Sequence, residues 1–212
     1  MNNLFRILLC VFTLLARQVS SAHISDDEIT FIPAAVQAGS SYGQFVSSAS
    51  RLDAPKVVPI NASAYDWWYF DAVSDDAEES IVIVFYTASV GGFAAGADPT
   101  TVDSLSIQAR FRNGTSFQVS IPASSATIVT VEDGTTGEFK GTGCGWTSTP
   151  DMARYLITVD APSYGVKGIF QLDSVRTQSK FPTKNLITNT NRAVNRLRLR
   201  TTLAALPWKV KT

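Results

Sequence analysis

From residue 65 to residue 175 the chain alternates apolar and polar side chains with the two-residue period of half-buried strands. Residues 104–112 read Ser-Leu-Ser-Ile-Gln-Ala-Arg-Phe-Arg, which puts Leu105, Ile107, Ala109 and Phe111 on one face. Asn113-Gly114 follows, a pair that tight hairpins favour because their central residues need positive φ. Residues 115–122 then return with Phe117, Val119 and Ile121 on one face. Upstream, residues 65–74 and 80–90 are aromatic and β-branched runs separated by the acidic turn Asp75-Asp76-Ala77-Glu78-Glu79. Downstream, residues 127–132 and 138–147 flank a loop at 133–137, and residues 155–160 and 166–175 flank a turn at 162–165. The pattern predicts an all-β domain of about eight or nine short strands and no helix, an antiparallel meander closing into a sandwich or barrel. Barrels of this size, when they hold a ligand, hold one small molecule. Residues 23–55, rich in Ser, Ala and Gly without a sustained period, read as an irregular lead-in to a domain at 56–175.

The densest strand is Asp66-Trp67-Trp68-Tyr69-Phe70-Asp71, four aromatic rings between two carboxylates. Alternation splits it into two faces: Tyr65, Trp67, Tyr69 and Asp71 on one, Asp66, Trp68, Phe70 and Ala72 on the other. Tryptophans on both faces are hard to reconcile with a single covered face, since the other would expose a large apolar area. One reading is a central strand buried on both sides. The other is that one face lines an apolar pocket, where an Asp or Tyr hydrogen-bonds a ligand carbonyl and the rings hold a polyene.

The chain ends change the picture. Met1 to Arg6 carries one positive charge, residues 7–16 are almost wholly apolar, and Ser20-Ser21-Ala22 supplies small residues before His23. That is the pattern of a secretory signal peptide over residues 1–22, and ten apolar residues are too few to cross a bilayer. The expected product is exported, with no membrane span after cleavage. Two sequons suit that route, Asn61-Ala62-Ser63 and Asn113-Gly114-Thr115, making Asn61 and Asn113 candidate glycosylation sites. Removing the leader takes Cys10 with it, so Cys144 stands without an internal partner: a free buried thiol, an intermolecular bond, or a partner outside this chain.

Charge is divided as sharply. Between residues 23 and 175 seven basic side chains face eighteen acidic ones, a net charge of −11, whereas residues 176–212 hold nine basic residues and no acid. The basic tail lacks aromatic interleaving and belongs to a chain with a leader, so nucleic acid is not an expected partner.

Little of the usual catalytic chemistry is left. His23 is the only histidine and would be the mature N-terminus, which rules out a Ser-His-Asp or Cys-His triad within the folded body and a His-based zinc site. Residues 91–96 are glycine-rich, but no Lys-Ser/Thr follows, so they read as a loop and not as a phosphate cradle. The acidic clusters at 26–28 and 75–79 read as solvated turns. No metal site and no cofactor is expected. Carboxylates, phenols and indoles remain.

The strand Tyr65-Asp66-Trp67-Trp68-Tyr69-Phe70-Asp71, the strand at 80–88, the stretch from Gly141 to Asp160 (GTGCGWTSTPDMARYLITVD) and GVKGIFQLDSV at 165–175 resemble the N-terminal half of the fungal lipocalin-like Diels-Alderases. That group is related in sequence to hydroxyneurosporene synthase-type carotenoid hydratases. The motifs are an aromatic W-x-F-D strand, here Trp68, Phe70 and Asp71, and a G-x-G-W strand, here Gly143 to Trp146. The resemblance implies two β domains with the substrate between them, of which this chain carries the first, and a possible second lipocalin-like domain outside it. It implies an isomerase that performs an intramolecular [4+2] cycloaddition on a polyketide-type polyene without a cofactor, by holding the chain so that diene and dienophile meet. It leaves residues 176–212 unmatched, so they are expected to be non-native or disordered sequence, and a partner for Cys144 is expected in the missing part.

The site expected on this basis is Asp66, Trp68 and Phe70 on one pocket face with Trp146 near it, binding an apolar, polyene-like small molecule. Asp66 is the candidate catalytic group, while Tyr69 and Asp71 are read as structural. Two alternatives stay open: a secreted lipocalin-like carrier that binds without chemistry, and an inactive fragment. A hydratase-like lyase is a variant that would need Asp66 or Asp71 as its acid.

Overall fold

The structure, a computed structural model, describes residues 27–44 and 51–174 and the backbone of residues 198–199. The expected leader at 1–22, Cys10, His23 and most of the basic tail lie outside the described residues. The alternating pattern of residues 65–175 folds into two antiparallel sheets laid face to face. One has four strands in simple meander order: β4 (Tyr65–Val73), β5 (Ser80–Ala88), β6 (Asp103–Arg110) and β7 (Ser116–Pro122). The other runs β1 (Glu28–Pro33), β8 (Ser125–Val131), β9 (Gly134–Phe139), β10 (Cys144–Ser148), β11 (Arg154–Ala161), β12 (Val166–Asp173) and the two-residue β13 (Arg198–Leu199). A two-residue pairing of β2 (Tyr42–Gly43) with β3 (Val57–Val58) stands apart from both. The all-β, antiparallel sandwich expected from the pattern is what the chain forms.

The core between the sheets is built from the inward parity of each strand. Trp68 lies opposite Phe85, Leu105 and Ile121 across the four-stranded sheet, and Phe70 opposite Ile83, Ile107 and Val119. Trp146 meets them from the other sheet, with ring centroids 4.9 Å from Trp68, 5.8 Å from Phe70 and 4.9 Å from Phe85. Such tilted aromatic contacts add to the burial itself. The indole has room because its cross-strand neighbour is glycine: a Cβ on Gly137 would sit 2.2 Å from the Trp146 ring. Gly137→Ala is therefore expected to destabilise the protein by about 1–3 kcal/mol, read as a lower urea midpoint; an unchanged midpoint would contradict this placement of the indole. Cys144 is buried and free, and its thiol pKa is raised chiefly by burial.

Four features depart from the sequence reading. Residues 28–33 of the lead-in form β1, whose backbone pairs with β8 from Glu28↔Thr130 to Pro33↔Ser125; one short strand without a hairpin partner nearby leaves no periodic signal. The loop expected at 133–137 is a tight turn at Glu132-Asp133, where Glu132 takes φ 53°, and β9 starts at Gly134. The strand expected at 138–147 is broken into β9 and β10 by a second turn at 140–143, with Gly141 at φ 88° and Gly143 at φ 71°. Between β5 and β6 the glycine-rich loop begins with a short helix, α1 (Val90–Phe93), capped by the Ser89 hydroxyl accepting from the Gly92 amide. Its glycines are needed for close approach, since a Cβ on Gly91 would lie 2.3 Å from the Ala62 carbonyl.

The aromatic strand β4 is not a doubly covered central strand; it is an edge of its sheet. Its even-numbered residues face the core, with Trp68 and Phe70 buried, while Tyr65, Trp67 and Tyr69 are 41 %, 41 % and 53 % exposed. The core-facing side ends in a polar row: Asp66 of β4 opposes Thr87 of β5, which opposes Asp103 of β6. Asp103 is wholly buried, and neither carboxyl oxygen makes a hydrogen bond of normal geometry among the described residues. Burial raises its pKa to about 8, with only the Ala126 amide pulling it back.

Candidate active site

The edge position of β4 leaves a gap between the two sheets, and the chain before it runs along that gap as a strap. Side-chain and backbone bonds hold the strap in place. Asp66 accepts from the amides of Lys56 at 2.6 Å and Val57 at 3.2 Å, as well as from Trp67 at 2.9 Å. The Asp53 carbonyl accepts from the Trp68 indole N–H at 3.1 Å. At the other sheet, the Asp53 amide donates to the Asp133 carbonyl at 3.0 Å. Arg51 is ion-paired to Glu28 of β1.

Behind the strap is a cavity of about 550 Å³. Trp68 and Phe70 of β4, Tyr155 and Met152 near the start of β11, and Leu172 of β12 supply apolar wall. Asp53, Lys56 and Asp66 supply charge. Asp53 is the central polar group. Burial pushes its carboxyl up to about 6, against hydrogen bonds from Thr135 and Tyr155 and the charge of Lys56, which pull it back. The Thr135 hydroxyl, which donates to Asp53, also accepts from the Trp146 indole N–H at 3.0 Å, so the core fixes the orientation of the acid. Burial and the neighbouring Asp53 carboxyl both push the Tyr155 phenol pKa up, keeping it a neutral donor. Lys56 is lowered by burial, which Asp53 and Asp66 oppose, and its Nζ donates to the Arg51 carbonyl at 2.9 Å.

The residues of the expected pocket face fall in or beside this region, with different placements. Trp68 and Phe70 line the cavity from its core side. Trp146 packs at a tilt against both but lies 2 % exposed in the core, behind the cavity wall. Asp66 borders the cavity, yet its carboxylate is committed to three backbone amides and is raised by burial against them. Tyr69 and Asp71 reach the cavity rim from the exposed parity of β4. Asn61 and Asn113 both sit in turns, away from the cavity. Sequence reasoning missed Asp53, Lys56, Thr135 and Tyr155. The one available signal for Asp53 was a carboxylate set between apolar residues, Leu52-Asp53-Ala54-Pro55, with Arg51 and Lys56 on either side.

Chemically the site combines an apolar wall, an acid poised near neutrality, a phenol and an ammonium. A carboxyl with a raised pKa donates a hydrogen bond or a proton at a pH where an ordinary carboxylate only accepts. With Tyr155 beside it, Asp53 is placed to polarise an oxygen on an otherwise apolar ligand.

A family model described as Diels-Alderase-like matches residues 34–205, past the charge break after Val175. Related curated proteins include the quinolone epoxide rearrangement protein penF of Penicillium thymicola, 35 % identical over 158 residues, covering 70 % of this chain and 42 % of penF. They include asqO of Emericella nidulans, also a quinolone epoxide rearrangement protein, 32 % identical over 65 % of this chain and 38 % of asqO. The Diels-Alderase cheD of Chaetomium globosum is 33 % identical over 58 % of this chain and 28 % of cheD. The chain thus spans less than half the length of the curated relatives it matches. Among solved structures, CghA with Sch210972 superposes with a TM-score of 0.55 at 17 % identity, over 69 % of this chain and 39 % of CghA.

Proposed function

Because the chain belongs to the Diels-Alderase-like family, we propose that it supplies the substrate-facing N-terminal sandwich of a fungal secondary-metabolism isomerase, one that rearranges an apolar, polyene-like small molecule within itself. The observation that carries this reading is Asp53, an acid with a pKa of about 6 at a 550 Å³ cavity walled by Trp68, Phe70 and Leu172. The wall restrains a flexible chain, and restraint alone removes up to about 7–11 kcal/mol from a well-oriented intramolecular barrier. Asp53, backed by Tyr155, donates to the oxygen that activates the reacting carbons. In a [4+2] cycloaddition that oxygen is a carbonyl on the dienophile, and the donated hydrogen bond draws electron density as the two new bonds form. In an epoxide rearrangement it is the ring oxygen, and the proton follows the C–O bond as it breaks. Relatives named for each reaction stand at similar identity, so the shared element, one acid over an apolar wall, is what we assign.

Asp66 then acts as a positioning residue: by holding the amides of Lys56 and Val57 it sets where the strap carries Asp53. A carrier without chemistry would use the same wall, but it would gain nothing from an acid kept near neutrality. Export through the secretory pathway remains the reading of residues 1–22.

The test is a conversion without added cofactor. Purified protein incubated with an extract of the host organism lacking the gene is expected to convert one metabolite into an isomer of identical mass and different retention. A product of altered mass, or saturable binding with no product, would overturn the isomerase reading.

A further inference from the structure

Beside the start of β4, a second groove of about 630 Å³ runs next to Asn61. Its boundary includes Ser40, Ser41, Ser63, Tyr65 and Trp67. Tyr65 and Trp67 stack at 5.3 Å with their planes 16° apart, and Phe93 of α1 approaches them at 5.3 and 5.1 Å. Even so packed, both rings remain 41 % exposed, an aromatic patch outside the core, of which Trp67 also borders the first cavity. No Lys or Arg borders the groove, and its one carboxylate, Asp66, is taken by backbone amides. Hydroxyls beside aromatic faces, without available charge, suit a neutral polyhydroxylated ligand. The C–H face of a pyranose rests on a ring while its hydroxyls and acetamide bond to serines.

Such a ligand has a covalent anchor within the groove. The Asn61 Oδ1 accepts from the Ser63 amide at 3.0 Å and hydroxyl at 3.2 Å, and its Nδ2 donates one hydrogen to the Gly39 carbonyl at 3.0 Å. The second Nδ2 hydrogen is free for substitution without disturbing that bond. Asn113 makes the same turn with Thr115, yet stands at a hairpin tip where a Cβ on Gly114 would meet nothing within 4 Å. We propose that the N-glycan on Asn61 folds back into this groove, its first N-acetylglucosamine covering Tyr65 and Trp67, whereas a glycan on Asn113 extends into solvent. The inference rests on passage through the secretory pathway, where a lipid-diphosphate-linked oligosaccharide is the donor. The Nδ2–C1 bond forms, the bond from C1 to the diphosphate oxygen breaks, and one Nδ2 proton is lost. The attached sugar covers an aromatic patch that water otherwise meets.

The test uses the whole chain secreted from a eukaryotic host. Glycopeptide masses give occupancy, and acrylamide quenching of tryptophan gives cover. One portion is trimmed by an endoglycosidase that leaves a single N-acetylglucosamine, and another is stripped by an amidase, both after folding. Quenching is expected to stay unchanged on trimming and to rise about two-fold on stripping, as an indole 41 % exposed without sugar loses its cover. The rise is expected to persist in Asn113→Gln and to vanish in Trp67→Phe, while Asn61→Gln starts at the higher value. Asn113 occupied with Asn61 bare, or both occupied with no rise on stripping, would overturn the inference and leave export standing. Both sites bare on secreted protein would overturn the inference and leave export standing, whereas a chain retained in the cell would overturn export, and the inference with it.

Discussion

Asp103→Asn is expected to stabilise the protein at pH 8 and to leave its stability near pH 4 almost unchanged. Asp103 is wholly buried without a hydrogen bond of normal geometry among the described residues, and its pKa rises from 3.8 to about 8 on folding. The folded state therefore holds a proton that the unfolded state releases, and stability falls with increasing pH between those two values and levels off above the upper one. At pH 7 the unfolded chain gains on the order of 4 kcal/mol from ionising Asp103, a gain the asparagine variant lacks. A protonated carboxyl and a carboxamide leave similar unbonded polar groups in the core, so the substitution costs little in the folded state. Asp53, at about 6, adds to the same slope only at lower pH, so the window from pH 6 to pH 8 belongs to Asp103. Urea unfolding across pH 4.5 to 8.5 reads the result. Parallel curves for the two proteins would show that Asp103 is solvated or bonded in solution.

Asp53→Asn is expected to lower kcat by about 10²- to 10⁴-fold, the range a positioned general acid contributes, with a much smaller change in KM. The carboxamide keeps the shape and can still accept from Thr135 and Tyr155, so the strap stays in place. The apolar wall of Trp68, Phe70 and Leu172 is left as it was, so binding is expected to survive. What goes is a donor whose proton is available near neutral pH. Equal loss in binding and turnover would assign Asp53 to holding the strap instead. Asp66→Asn supplies the comparison. It disturbs the amides of Lys56 and Val57 and is expected to raise KM and lower kcat together, through displacement of the strap.

The strands and the sandwich were legible because their physics is local. A two-residue period, β-branched runs and turn residues recur within the hairpins from β4 to β7 and again at β11 and β12, but not at β9 and β10, where glycines and threonines blur strand and turn. The split of β4 into two faces was legible for the same reason; the placing of Trp146 near Trp68 and Phe70 came from the family resemblance, because a contact between two sheets leaves no local period. Whether β4 lay at the centre or the edge of a sheet was not, because that depends on which strand, if any, pairs with its far side. The position of Asp53 was equally hidden. Its pKa is raised by burial and held back by hydrogen bonds from Thr135, 82 positions away, and from Tyr155 on another strand, an environment that exists only once the chain has folded. The first carboxylate of the aromatic strand drew attention by its neighbours in sequence. Asp66 serves the backbone, and the acid at the cavity comes from the segment without a pattern. Asp103 was hidden in a different way: at the head of Asp103-Ser-Leu-Ser-Ile it reads like a turn residue leading into a strand, and only the cover of the second sheet makes it a buried acid.

The most direct measurement is the pH dependence of kcat for conversion of substrate to isomer, wild type against Asp53→Asn. A neutral Asp53 carboxyl as the donor predicts a wild-type kcat that falls as pH rises through about 6, and a low, flat profile for the variant. A wild-type profile level from pH 5 to pH 8, or an inflection near 6 that survives in the variant, would contradict the assignment of the acid to Asp53.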